Sequence, residues 1–250
     1  MSTSAPGASP SGLRRVPAAL RVVRPRAGLV LAIAGYVVGA LVVLLYAGYR
    51  AALAHLADWQ ITLADLGVLV PLVAAVVIAW AIGVIAPARP ALTVVEVLAG
   101  LALGLAARAV VELLTPTSGR LGGPWGEGPS VPLTAVSLLA LVILSPLVEE
   151  LFFRGLVQRS LEAALVPRAA GRSVRAGIAT LAIAVTTASF VGLHTFSYPA
   201  GQVPAGQIVA PIAVGIVSGI LTSVTGRVGG AIIAHVVFNG VGFALLFVGG

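Results

Sequence analysis

Neither cysteine nor lysine occurs anywhere in this chain of 250 residues. Without cysteine there is no disulfide framework and no thiolate metal site, and no redox compartment can be read from the sequence. Charge of either sign is scarce. Only 9% of residues are charged, against about 25% in an ordinary soluble domain. A water-facing globular surface is therefore excluded. Apolar residues fill the space, at 59% of the chain with a mean hydropathy of +1.09. This is the composition of an all-α, polytopic membrane bundle.

The net charge is +7, from fifteen Arg and eight acids. In a soluble protein that balance would suggest nucleic acid. Here most Arg sit in short polar segments between apolar runs, which is a topology signal, so no nucleic-acid partner is expected.

Residues 1–26 are rich in Ser, Pro, Gly and Ala and then turn basic, with Arg14, Arg15, Arg21, Arg24 and Arg26. They read as a disordered, basic N-terminal segment ahead of a membrane-embedded domain, 27–250. About 20 apolar residues span a bilayer. Runs of that kind occur at 27–49, 66–86, 92–114, 131–165, 176–196, 207–225 and 228–248. The prediction is about seven transmembrane helices, with an eighth span as the alternative. The second run is the weakest, because Pro71 interrupts its first turn. A Gly/Pro-rich loop at 115–130 holds Trp125, a candidate interfacial anchor. Placing the N-terminus in the cytoplasm puts Arg14, Arg15, Arg21, Arg24, Arg26, Arg89, Arg159, Arg168, Arg172, Arg175 and Arg227 inside and only Arg50 and Arg120 outside. That asymmetry sets the expected orientation. Three Gly-x-x-x-Gly pairs, Gly35/Gly39, Gly100/Gly104 and Gly215/Gly219, are read as internal packing sites.

Against this apolar background, Ser145-Pro-Leu-Val-Glu-Glu-Leu-Phe-Phe-Arg154 places three charges in six residues. One charge at the bilayer centre costs about 2.5–3.5 kcal/mol on insertion scales. Glu150 and Arg154 are i,i+4 in the favourable order and are expected to pair. Glu149 lies about 140° around the helix from Arg154, which leaves it free as a general base for water. Two histidines and an amide complete the set: His194 in the fifth run, and His235 and Asn239 four apart in the seventh. They are candidates for water partner and oxyanion donors. A purely structural polar network is the alternative. Arg108 and Glu112 share a face of the third helix, as a structural pair or a substrate-facing one. Counting by rise puts Glu149 and His235 near mid-membrane or slightly cytoplasmic, and His194 about 10 Å nearer the outer side.

Glu149-Glu150-x-x-x-Arg154, Phe190-x-x-x-His194 and His235-x-x-x-Asn239 resemble the three motifs of the CPBP family, the CAAX proteases and bacteriocin-processing enzymes also called ABI. Its eukaryotic relatives are the type II CAAX prenyl endopeptidases. The resemblance covers about residues 131–248, and the first three helices match only in being apolar. It implies an intramembrane endopeptidase acting on a membrane-associated or lipidated peptide. Glu149 would activate water with His194, His235 and Asn239 would stabilise the oxyanion, and Glu150 and Arg154 would support the site. No cofactor is favoured. The alternative is a zinc held by Glu149, His194 and His235. A site facing the cytoplasm would suit a lipidated substrate. Two other readings remain: a non-enzymatic membrane protein in bacteriocin immunity or scaffolding, and a proton-coupled transporter. The missing internal repeat disfavours the last.

Overall fold

The computed structural model describes residues 22–53, 55–86, 92–117, 131–199 and 201–246. Arg14, Arg15, Arg21, Arg89, Arg120 and Trp125 lie outside the described residues, as does most of the expected disordered N-terminal segment.

Among the described residues, seven joined helices form an all-α bundle. They are α1 (Pro25–Tyr49), α2 (Asp58–Leu66 and Val70–Ala81, joined by the tight turn Gly67–Leu69), α3 (Val94–Leu114), α4 (Val131–Ser137 continuing without a break to Arg159–Leu165), α5 (Arg172–Thr195), α6 (Gly206–Thr225) and α7 (Gly229–Leu245). The first six are long and apolar enough to cross a bilayer, and α7 is a shorter apolar helix. Large apolar side chains such as Val30, Leu44, Leu113 and Val224 point outward, as in a protein whose solvent is lipid.

Six of the helices follow the apolar runs closely. The second does not. It starts at Asp58 rather than Leu66 and ends at Ala81. Pro71 thereby falls in the first turn of Val70–Ala81, where its missing N–H is harmless.

α4 is the central element, packed against α1, α2, α5, α6 and α7. Phe152, Phe153, Leu156 and Gln158 on it are fully buried. The glycine pairs serve internal contacts. A Cβ on Gly104 would stand 2.5 Å from the Ala234 carbonyl oxygen, and one on Gly100 would stand 2.7 Å from that of Gly230. α3 and α7 can touch backbone to backbone only because these positions lack side chains. Gly215 and Gly219 do the same for α5 and α6, against Thr187 and Ile183.

The two ends of the bundle are tied differently. At the end where α1 starts, the Val23 amide donates to the Val84 carbonyl at 2.8 Å, and Val22 and Ile85 pair as an isolated bridge. Glu96 closes a capping box with Thr93 and pairs with Arg227 at 2.6 Å, joining the starts of α3 and α7. At the opposite end Arg108 pairs with Glu112, and the Thr117 amide donates to the same carboxylate at 2.7 Å.

Gly104→Ala is expected to lower the thermal midpoint in detergent, since overpacking of this kind costs about 1–3 kcal/mol. Gly48→Ala, where a Cβ meets nothing within 4 Å, is expected to leave the midpoint unchanged or raise it. Equal behaviour of the two variants in differential scanning fluorimetry would contradict the close α3–α7 approach.

Candidate active site

α4 does not run as one regular helix. Leu138–Leu144 and Leu151–Gln158 are wound in wide i→i+5 turns, and the Glu-Glu stretch, Ser145–Glu150, is α-helical between them. Such wide turns occur frequently at functional sites. The first has a local cause. The Ser145 amide bonds to the Ala140 carbonyl five residues back. In that register the next amide would serve Leu141, but residue 146 is proline and has no N–H. The freed Leu141 carbonyl accepts instead from the Asn239 side-chain amide of α7, at 2.8 Å.

Glu150 and Arg154 are both fully buried and pair at 3.2 Å between Oε2 and Nε. Glu150 Oε1 lies 2.9 Å from His235 Nδ1. A carboxylate accepts, so Nδ1 is the donor, and this fixes the ring with Nε2 facing Glu149 Oε2 at 3.7 Å. The Arg154 guanidinium donates from Nη2 to the Gly215 carbonyl at 3.2 Å. One helical turn on, Gln158 Nε2 donates to the Gly219 carbonyl at 3.0 Å. The carbonyls of Gly215 and Gly219 on α6 thus satisfy two buried donors of α4. Arg154 Nη1 has no hydrogen-bond acceptor among the described residues. The Phe190 ring, 5.1 Å from the guanidinium carbon, supplies a π face in place of one.

Phe190 is the hub of the aromatic packing. It meets Phe153, His194 and His235 edge-on, at centroid distances of 5.1, 4.4 and 5.8 Å. Its carbonyl also accepts from His194 Nδ1 at 2.9 Å. A neutral His194 therefore keeps its lone pair on Nε2.

Glu149 is 6% exposed. Ser145, one turn back, donates to its Oε1 at 2.7 Å. Glu149 and His194 both line a cavity of about 330 Å³, with Ser145, Leu141, Asp65 and Tyr198 among its other walls. The two charged residues that line it are acidic, Asp65 and Glu149. The expected offset in depth between Glu149 and His194 is absent. A Cβ on Gly39 would touch Leu193, although Gly39 lies 14 residues beyond Pro25 and Leu193 lies 21 beyond Arg172. The surplus of 7 residues, about 10 Å of helix, is taken up by a deeper start or a tilt of α5.

The structure thus brings Glu149 and His194 to one cavity, and Glu150, Arg154 and His235 to a buried network directly behind it. Asn239 braces Leu141 and is not among the cavity-lining residues. Sequence reading gave no role to Ser145, Gln158 or Asp65. The first two were within reach of it, since Ser145 stands four before Glu149 and Gln158 four after Arg154 on the same helix. Asp65 comes from α2, whose start was misplaced, and no spacing pointed to it. Among the described residues, no three His, Asp or Glu side chains gather as a metal-ligand set. His235 Nδ1 is committed to Glu150, so in the zinc alternative Nε2 would be its ligating nitrogen.

The spanning helices define a multi-pass integral membrane protein, and its polar interior is an acid–histidine site. Residues 131–241 match the family model described as type II CAAX prenyl endopeptidase Rce1-like. Over that segment the chain is similar to the Rce1-like CAAX proteases, which are related to CPBP/ABI. The match takes in α4 to α7 and leaves α1 to α3 outside it. No curated protein and no solved structure matches the chain.

Removing one partner of a buried ion pair costs about 3–5 kcal/mol. Arg154→Met is therefore expected to unfold at much lower temperature, and adding Glu150→Gln to recover part of the loss. Strict additivity of the two single variants would show that the pair is not coupled. For the α4–α7 brace, Asn239→Ala removes the hydrogen bond to the Leu141 carbonyl, at about 0.5–1.5 kcal/mol. Pro146→Ala in the same chain restores an N–H to that register and should raise the midpoint of the Asn239→Ala protein.

Proposed function

We propose that this chain is a glutamate-type intramembrane endopeptidase with a cytoplasmic N-terminus, hydrolysing a peptide bond of a membrane-associated or lipidated peptide. The observation that carries the reading is the shared cavity of Glu149 and His194, inside an apolar bundle. Its volume, about 330 Å³, has room for several waters at about 30 Å³ each. Glu149, oriented by Ser145, is the general base that takes a proton from water. His194, with Nδ1–H held on Phe190, offers Nε2 to orient that water. The water oxygen bonds to the substrate carbonyl carbon, and the carbonyl oxygen takes up negative charge. His235, donating from Nε2 when both ring nitrogens carry a proton, and Asn239 are the oxyanion donors in this reading. Asn239 retains a second amide hydrogen beyond the one given to Leu141. The C–N bond then breaks and Glu149 returns its proton to the leaving amine, so the products are a carboxylic acid and an amine, which exchange a proton to give carboxylate and ammonium. Glu150 and Arg154 are positioning residues that act through His235.

Purified protein reconstituted in lipid is expected to cleave members of a membrane-peptide library. Glu149→Gln should lose about 10²–10⁴-fold in kcat while keeping the wild-type thermal midpoint. Chelator is expected to leave cleavage unchanged. Equal cleavage by the variant would sink the glutamate mechanism, and loss on chelation restored by zinc would replace it with a metal one.

A further inference from the structure

The cavity lies at one end of the bundle, where Arg50 and the Glu112-paired Arg108 also lie, and most of the other described arginines lie at the opposite end. The first end is fixed by Tyr46 and Ala47 in the last turn of α1, Thr62 in the second turn of α2, and Ser197 and Tyr198 just beyond α5, all of which line the cavity. The opposite end is fixed by the Val22–Ile85 bridge, by Ser160 of α4 against Gly28 of α1, and by the Glu96–Arg227 pair. That end carries Arg24 and Arg26 before and within the first turn of α1, Arg168, Arg172 and Arg175 around the α4–α5 connection, and Arg227 between α6 and α7. Arginine bias in short connections marks the cytoplasmic face, and nearby acids count for little in that rule. Glu149 is nearer the cavity end than a count along α4 suggests. The helix runs on through Arg159–Leu165, beyond the level of the α1 start marked by Gly28 and Ser160.

We infer that the cavity opens on the extracytoplasmic face, and that its substrate is a membrane-anchored peptide presenting its scissile bond at the extracytoplasmic end of its span. The substrate class rests on the peptidase reading above, whereas the orientation of the cavity does not. A peptide lipidated and held at the cytoplasmic leaflet would face the arginine-rich end of the bundle, on the far side from Glu149 and His194. The cavity end also offers a route into the site through side chains that bind water. Thr62, Ser197 and Tyr198 line it together with Asp65, so an extended peptide backbone meets hydrogen-bonding groups as it leaves the outer leaflet.

The cysteine-free chain makes the orientation directly measurable. Ser197 and Ala169 are both exposed, at opposite ends of the bundle. Single variants Ser197→Cys and Ala169→Cys are expressed in spheroplasts and treated with a membrane-impermeant maleimide that shifts mobility on a gel. Ser197→Cys is expected to shift in intact spheroplasts, and Ala169→Cys only after lysis. The reverse pattern overturns the inference, and so does equal labelling of both in intact spheroplasts. In a second arm, one membrane-anchored reporter carries a library of cleavable segments at the extracytoplasmic end of its span, and another carries it at the cytoplasmic end. Cleavage confined to the first is the expected result, and cleavage confined to the second overturns the inference. Cleavage of neither, with the expected labelling, refutes the peptidase reading and the substrate class with it, while the orientation stands.

Discussion

A buried ion pair is the constraint on which this bundle depends. Glu150 and Arg154 have no exposure to solvent or lipid, and a charge left alone in such a place is among the costliest things a fold can contain. Three of the five helices packed against α4 supply something to prevent that. α7 gives His235 to Glu150, α6 gives the Gly215 carbonyl to Arg154, and α5 gives it the Phe190 ring. The pair therefore dictates which helices meet at the centre and how closely. It also holds His235 in one orientation, so that the nitrogen turned toward Glu149 is the one not bound to Glu150. Stability and site geometry have a common origin here.

The coupling of α4 to α7 has a second root in the backbone. Pro146 withholds an amide that the wide turn before it would have used, and Asn239 reaches across to the carbonyl left over. A helix defect on one element and an amide on another are thus complementary. Asn239 also braces the wall of the cavity through Leu141. An effect of replacing it on turnover would mix that brace with any direct contact to a reacting oxygen.

Much of this was legible in the sequence, for identifiable reasons. Apolar runs in a nearly uncharged chain have few alternatives to spanning helices, so seven elements and most of their limits followed from length. The Glu150–Arg154 pair followed from i,i+4 spacing, and the internal role of the glycine pairs from the backbone approach they allow. Two features escaped. α2 starts with Asp58-Trp-Gln, polar enough to look like a loop, because its first turns stand where polar groups are tolerated. The relative depth of α4 and α5 escaped because residue counting assumes helices that begin at one level and cross upright. α4 overshoots that level at its C-terminal end and α5 compensates for it. Both departures act on the site, the first by adding Asp65 to the cavity and the second by bringing His194 down to Glu149.

The cavity walls have a chemical property that follows from the composition. With no cysteine, and with Met1 as the sole methionine, the chain contains no sulfur after its first residue. The groups gathered around Glu149 are carboxylate, hydroxyl and imidazole, none of which climbs the thiol oxidation ladder. A site so built is indifferent to peroxide, to disulfide exchange and to thiol-seeking electrophiles. A covalent reagent aimed at it would have to react with a carboxylate or an imidazole.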